Sequence, residues 1–136
     1  MAEGDIKNDE YWRDKLSASE FRICREKGTE PAFTGEYWNC QRAGRYRCRC
    51  CAQILFDSQH KYDSGSGWPS FYQPVSTDAI VQTLDTSLGM HRTEICCSAC
   101  RAHLGHLFSD GPAPTGMRYC VNSASLVLQG NDDEEL

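Results

Sequence analysis

Apolar positions near the start of the chain recur at one-turn spacing. Between Asn8 and Ser17, Tyr11, Trp12 and Leu16 share one helical face, which predicts a short amphipathic helix. Ser17 and Glu20 have capping-box spacing, Phe21, Ile23 and Cys24 follow, and Gly28 supplies a stop, so a second helix of about ten residues is expected. The Gly and Pro punctuation of Gly28-Thr29-Glu30-Pro31-Ala32-Phe33-Thr34-Gly35 then predicts an ordered loop. From Arg45 onward the pattern becomes short β-type runs: Tyr46 to Cys50, Gln53 to Phe56, Ala79 to Thr86, His91 to Cys96 and Tyr119 to Leu128. Strands without crossover helices between them pair antiparallel. The expected fold is mainly β: two small antiparallel sheets, sandwich-like, behind short N-terminal helices.

A chain of 136 residues is one domain's length. The expected boundaries are a single domain over 8–128, a mobile N-terminus over 1–7 and an acidic tail over 129–136, both ends being poor in apolar residues. No run of about 18 apolar residues occurs and the start is polar, so neither a membrane span nor a secretory signal is expected, and the compartment expected is the cytoplasm. A formal charge of −5 without a basic cluster argues against nucleic-acid binding. Nine cysteines, an odd number, point to metal binding and thiol chemistry rather than a disulfide framework.

Two cysteine pairs have knuckle spacing, Cys48 with Cys51 and Cys97 with Cys100, separated by 45 residues. A tight turn aims both sulfurs of each pair at one point, and four thiolates match the tetrahedral preference of Zn²⁺. Such a closed site is structural, tying two hairpins together. A rival set, Cys97, Cys100, His103 and His106, recurs every three residues but strands Cys48 and Cys51; ordinary reduced cysteines or a redox CxxC are the plainer alternative. Cys40, Cys50 and Cys96 fall outside either metal scheme.

Alternation along Arg118-Tyr119-Cys120-Val121-Asn122 puts Arg118, Cys120 and Asn122 on one strand face. A guanidinium beside a thiol favours the thiolate, lowering its pKa from about 8.5 and making a nucleophile. Asn122 could donate to a substrate or hold a neighbour. His103 and His106 supply two imidazoles suited to acid and base work, with Phe108 and Asp110 following. Gly65-Ser66-Gly67-Trp68-Pro69-Ser70-Phe71 offers an indole face able to cradle a methyl or thioether group. Each of these also has a purely structural reading.

The strings GTEPAFTG, CRCC, KYDSGSGWPSF, RTEICCSACRAHLGHLFSDGP and RYCVNSASL, in this order over roughly Ser17 to Leu128, resemble the B-type peptide methionine sulfoxide reductases, which act on the R epimer at sulfur. The resemblance implies two antiparallel sheets, a four-cysteine zinc site at Cys48, Cys51, Cys97 and Cys100, and Cys120 as nucleophile flanked by Arg118 and Asn122. It further implies Trp68 against the substrate methyl group, His103 and His106 at the sulfoxide oxygen, and Phe108 and Asp110 in the same pocket. Attack by Cys120 would release methionine and leave a sulfenic acid, which a second thiol converts to a disulfide reducible by a thioredoxin-like donor. Many members carry that resolving cysteine where this chain has Ser66, so Cys24 is the candidate resolving thiol here, with Cys40 and direct reduction by an outside thiol behind it. Oxidised proteins or peptides are the expected substrates, and a monomer the expected state.

Two readings compete with the reductase. One is a zinc-stabilised protein-binding module using Trp68 and Phe71 as exposed aromatics; the other is a thiol peroxidase. An activated Cys120 separates the first from an enzyme, and relative rates with hydrogen peroxide and methionine sulfoxide separate the second.

Overall fold

A computed structural model describes residues 9–86 and 91–130. The expected mobile N-terminus 1–7, Asn8 and the acidic residues 131–136 lie outside the described residues. Two short helices open the fold, α1 (Asp9–Lys15) and α2 (Ala18–Arg25). The capping box forms as spaced: Ser17 Oγ accepts from Glu20 N–H at 3.2 Å and the Glu20 carboxylate accepts from Ser17 N–H at 3.0 Å, a pair that contributes about 1 kcal/mol to holding α2. Phe21, Ile23 and Cys24 form its buried face. No helix of the described residues is long and apolar enough to cross a membrane.

Nine strands follow among the described residues: β1 (Gly44–Cys48), β2 (Ile54–Asp57), β3 (Lys61–Tyr62), β4 (Ser70–Phe71), β5 (Ile80–Asp85), β6 (Arg92–Cys97), β7 (His103–Phe108), β8 (Arg118–Val121) and β9 (Leu126–Gly130). They build two antiparallel sheets, one of three strands in the order β2-β1-β9 and one of six in the order β3-β4-β8-β7-β6-β5. The expected mainly-β fold with two sheets is therefore present, although the second sheet is larger than anticipated. The run Tyr119 to Leu128 is not one strand. A single 3₁₀ turn at Ser123–Ser125 breaks it, so that β8 lies in the larger sheet and β9 in the smaller. Gln129 and Gly130, expected in the tail, complete β9 against β1.

The sheets meet through aromatic rings. Phe71 of β4 stacks on Phe56 of β2 with ring centres 4.3 Å apart and takes the edge of Tyr46 of β1 at 5.2 Å. All three are fully buried, and each such side chain contributes about 1.5–3 kcal/mol by leaving water. Trp12, Leu16 and Phe21 extend this core under the helices. Phe71 is thus core, and the binding-module reading loses one of its two exposed aromatics.

Candidate active site

Strand register sets the centre of the site. Cys120 on β8 faces His106 on β7 and Ser70 on β4. Directly opposed residues of antiparallel strands point to the same side of the sheet, with Cβ atoms about 5 Å apart. Thiol and imidazole therefore share one wall of a cavity of about 270 Å³, lined also by Trp68, Phe108, Arg118, Ser66 and Asn122. β7 and β8 approach closely because Gly105 lies between the histidines: a Cβ there would overlap the carbonyl oxygen of Cys120.

A bulge brings the second histidine to this face. Ile95 pairs with Gly105 while the next residue on β6, Cys96, pairs with His103, leaving Leu104 as an extra residue on β7. Three residues along a regular strand would put His103 and His106 on opposite faces; the extra residue returns His103 to the side of Glu94, Cys96 and His106. The two rings meet edge to face at 5.5 Å. Asn122 fixes the bulge, its backbone N–H and its side-chain amide both donating to the Leu104 carbonyl, at 2.8 and 3.2 Å.

Each imidazole is oriented by a carboxylate. His103 Nδ1 donates to Glu94 at 2.7 Å and His106 Nε2 donates to Asp85 at 2.8 Å. Because a carboxylate only accepts, these bonds put the ring proton on those nitrogens and leave His103 Nε2 and His106 Nδ1 as acceptors. His103 Nε2 is buried with no hydrogen-bond partner among the described residues. Burial lowers the His103 pKa, opposed by Glu94, so the ring is neutral. Burial pushes Glu94 up, but hydrogen bonds from His103 and Cys96 outweigh it and hold the carboxyl below its ordinary range; Lys27 pairs with it at 3.3 Å.

The predicted loop 28–35 contributes through Glu30. Its carbonyl accepts from Trp68 Nε1–H at 3.0 Å, and its N–H donates to the Asn122 side chain at 3.1 Å. Its buried carboxylate accepts from the N–H groups of Ser123 and Ala124, each at 2.9 Å. One residue thereby places the indole, the amide and the turn that follows Cys120. The Asn122 amide is thus engaged with backbone on both its atoms and holds neighbours.

Electrostatics around the thiol differ from the expectation of a lowered pKa. Burial pushes Cys120 above the ordinary thiol value, while the Arg118 guanidinium and the Ser66 hydroxyl pull it down without prevailing. Arg118 divides its charge, donating to Asp110 at 2.8 and 3.2 Å and lying 4.3 Å over the Phe108 ring. Asp110 is exposed and outside the cavity; its hydrogen bonds go to Arg118.

The sulfurs of Cys48, Cys51, Cys97 and Cys100, none of which lines this cavity, all lie within 4.8 Å of one another, with Cys48 to Cys100 and Cys51 to Cys97 at 3.6 Å. The two knuckles are built alike. In each, the first cysteine N–H donates five residues ahead, to Gln53 at 2.8 Å or Ala102 at 2.9 Å, and its carbonyl accepts from the fourth residue, Ala52 or Arg101, at 2.8 Å. Ala52 and Arg101 both take left-handed backbone, at φ of 70° and 67°. The cluster joins the ends of hairpins β1/β2 and β6/β7. His103 and His106, bonded to Glu94 and Asp85, are not part of it, which removes the rival two-cysteine, two-histidine set.

Comparison with known proteins decides the assignment. The SelR domain family model matches residues 16–130. Peptide methionine sulfoxide reductase MsrB of Saccharophagus degradans is 64% identical over 129 residues, covering 95% of this chain and 96% of that protein. The chain belongs to the MsrB family of peptide methionine sulfoxide reductases. Other MsrB relatives are those of Cellvibrio japonicus, 59% identical over 128 residues (94% of this chain, 91% of that protein), and Acinetobacter baylyi, 60% identical over 131 residues (95% and 94%).

Within this MsrB-family site the structure brings together Cys120, His106, Trp68, Phe108, Arg118 and Asn122, sets His103 directly behind His106, and leaves Asp110 outside. Cys24 also lies off the cavity. It is buried on α2, its thiol directed at the Ala124 carbonyl at 3.7 Å and the Ser125 hydroxyl at 3.8 Å. Sequence reasoning missed Asp85, Glu94 and Glu30. Their only signal was an acidic residue in a strand-like run or in a Gly/Pro loop, which ordinarily reads as solvent-facing.

Proposed function

We propose that this MsrB-family chain reduces the R epimer of peptide-bound methionine sulfoxide at Cys120. The observation that carries this reading is the joining of a cysteine, a carboxylate-held imidazole and two aromatic walls in one cavity of a chain 64% identical to a named MsrB. Trp68 and Phe108 offer apolar faces for the S-methyl group and thioether stem. The Cys120 sulfur attacks the sulfoxide sulfur, the S–O bond breaks, and the oxygen ends on Cys120 as a sulfenic acid. One thiol and one sulfoxide give one sulfenic acid and one thioether. Cys120 is oxidised by two electrons, methionine sulfoxide is reduced by two to methionine, and the thiol proton ends on the transferred oxygen. We assign the taking and return of that proton to His106, which lines the cavity opposite Cys120, with His103 packed against its ring.

Recycling requires a second thiol, since Ser66 cannot form a disulfide. We assign this to Cys24, which attacks the sulfenic acid to give a Cys24–Cys120 disulfide and water; a thioredoxin-like dithiol then restores both thiols by exchange. The step requires α2 and the Ser123–Ser125 turn to part. The four-sulfur cluster fits Zn²⁺: its 3.6 Å sulfur pairs match the edge, about 3.8 Å, of a tetrahedron with 2.3 Å bonds. Bound there, the ion would act as a cross-link between the two hairpins.

The test is a single turnover without reductant. One equivalent of peptide methionine-R-sulfoxide is expected to yield one methionine per chain and, on peptide mapping, a Cys24–Cys120 linkage. Methionine formed with Cys120 left as a sulfenic acid removes Cys24 from the scheme; no methionine at all removes the reductase reading.

A further inference from the structure

Three serines beside the thiol have no role in the scheme above. Ser66 lines the same cavity as Cys120, where its hydroxyl favours the thiolate. Ser66 Oγ lies 2.8 Å from Ser64 Oγ, which lies 2.7 Å from Ser70 Oγ, and Ser70 Oγ lies 3.1 Å from the Trp68 carbonyl. Ser70 is fully buried and faces Cys120 across β4 and β8. Every hydroxyl carries one hydrogen and two acceptor positions. Backbone already fills one acceptor position on two of them, Trp68 N–H on Ser66 Oγ at 3.4 Å and Ser66 N–H on Ser64 Oγ at 3.3 Å. Each of these two oxygens is left with one hydrogen to give and one to receive, so the chain is satisfied in two directions and in no mixture of them.

We propose that Ser66, Ser64 and Ser70 form a reversible hydrogen-bond chain whose direction follows the protonation of Cys120. With Cys120 a thiol, S–H donates to Ser66, Ser66 to Ser64, Ser64 to Ser70, and Ser70 to the Trp68 carbonyl. With Cys120 a thiolate, Ser70 donates to Ser64, Ser64 to Ser66, and Ser66 to the sulfur. Three hydroxyls turn and no proton travels along the chain; the thiol proton itself leaves toward His106 or solvent. In this chain Ser66 is the member that donates to the reacting sulfur, whereas Ser64 and Ser70 are positioning residues. The chain opposes, from inside the protein, the burial that disfavours the thiolate. At the position where many MsrB relatives are expected to carry a resolving thiol, this chain thus carries a donor to the nucleophile.

The inference rests on Cys120 being the nucleophile, and its test does not use turnover. Alkylation of Cys120 by iodoacetamide is followed by peptide mass spectrometry from pH 6 to 10 in the full chain, with near-ultraviolet dichroism as the check on folding. Ser66→Ala is expected to slow alkylation at pH 7.5 about tenfold, the lower end of what a hydrogen bond to a charged partner contributes. Ser64→Ala is expected to slow it about threefold by removing the donor that polarises Ser66. The double variant should be no slower than Ser66→Ala, since Ser64 acts only through Ser66, and Ser64→Thr should restore the wild-type profile. A Ser64→Ala profile that overlays wild type, a double variant slower than Ser66→Ala, or a shifted profile in folded Ser64→Thr overturns the chain. Loss of the reductase reading would appear instead as turnover surviving Cys120→Ser, with these profiles unaffected.

Discussion

His106 stands directly across from Cys120 in the ladder between β7 and β8, with its Nε2–H committed to Asp85 at 2.8 Å. The position of the imidazole is therefore fixed by backbone pairing, and its tautomer by a carboxylate from another strand. Asp85→Asn removes the acceptor that selects this tautomer. A fall in kcat of about a hundredfold is expected, the lower end of what general acid–base catalysis contributes, with KM nearly unchanged because Asp85 does not line the cavity. Steady-state kinetics with a methionine sulfoxide peptide read this; an equal loss in KM would assign Asp85 to substrate binding.

The thiol should titrate late. Burial places the Cys120 pKa above the ordinary thiol value, so the reactive thiolate is a minor species at neutral pH and alkylation should still be rising above pH 9. Arg118→Ala removes a cation that favours the thiolate and should move the curve to still higher pH. A plateau below pH 8 would contradict the buried environment described here.

Acid should destabilise the fold before most carboxylates titrate. His103 has a lowered pKa in the folded chain, so below about 6.5 the unfolded chain binds a proton that the folded one does not, and stability falls with pH. Glu94 adds in the same direction: its folded pKa is lowered, so its contribution is present above its unfolded pKa and lost as pH falls through the folded one. Thermal melts between pH 7.5 and 4 should show the decline, and His103→Gln should flatten its upper part.

Glu30→Gln replaces one of two carboxylate oxygens by an N–H₂ facing backbone donors. The expected cost is about 2 kcal/mol by denaturant titration, accompanied by a changed Trp68 fluorescence as its indole partner shifts. Unchanged stability would mean that the Ser123–Ser125 turn does not depend on this carboxylate.

Cys48→Ser should lower zinc content and the melting temperature together, the latter by on the order of 10 °C, because a structural metal site contributes folding energy directly. Normal metal content with an unchanged melt would remove the four-thiolate assignment.

The sequence carried the parts of this site that depend on local spacing. Both knuckles, the Ser17/Glu20 cap and the common face of Arg118 and Cys120 follow from periodicities of two to four residues, and all appear in the structure. What periodicity could not carry is the non-local pairing. The bulge at Leu104 changes which face His103 occupies, and only the partner strand reveals it. The Ser123–Ser125 turn interrupts a run whose residue types read as one strand. Glu30 and Glu94 are buried and Asp85 half-buried because their partners come from other segments, 93, 9 and 21 residues away in the pairs with Ser123, His103 and His106.

The most direct test of the account is turnover of the separated R and S epimers of a peptide methionine sulfoxide, with dithiothreitol or thioredoxin as donor, by the unaltered chain and by Cys120→Ser. The account predicts reduction of the R epimer only, abolished by Cys120→Ser. Reduction of the S epimer, or R turnover that survives the substitution, would contradict it.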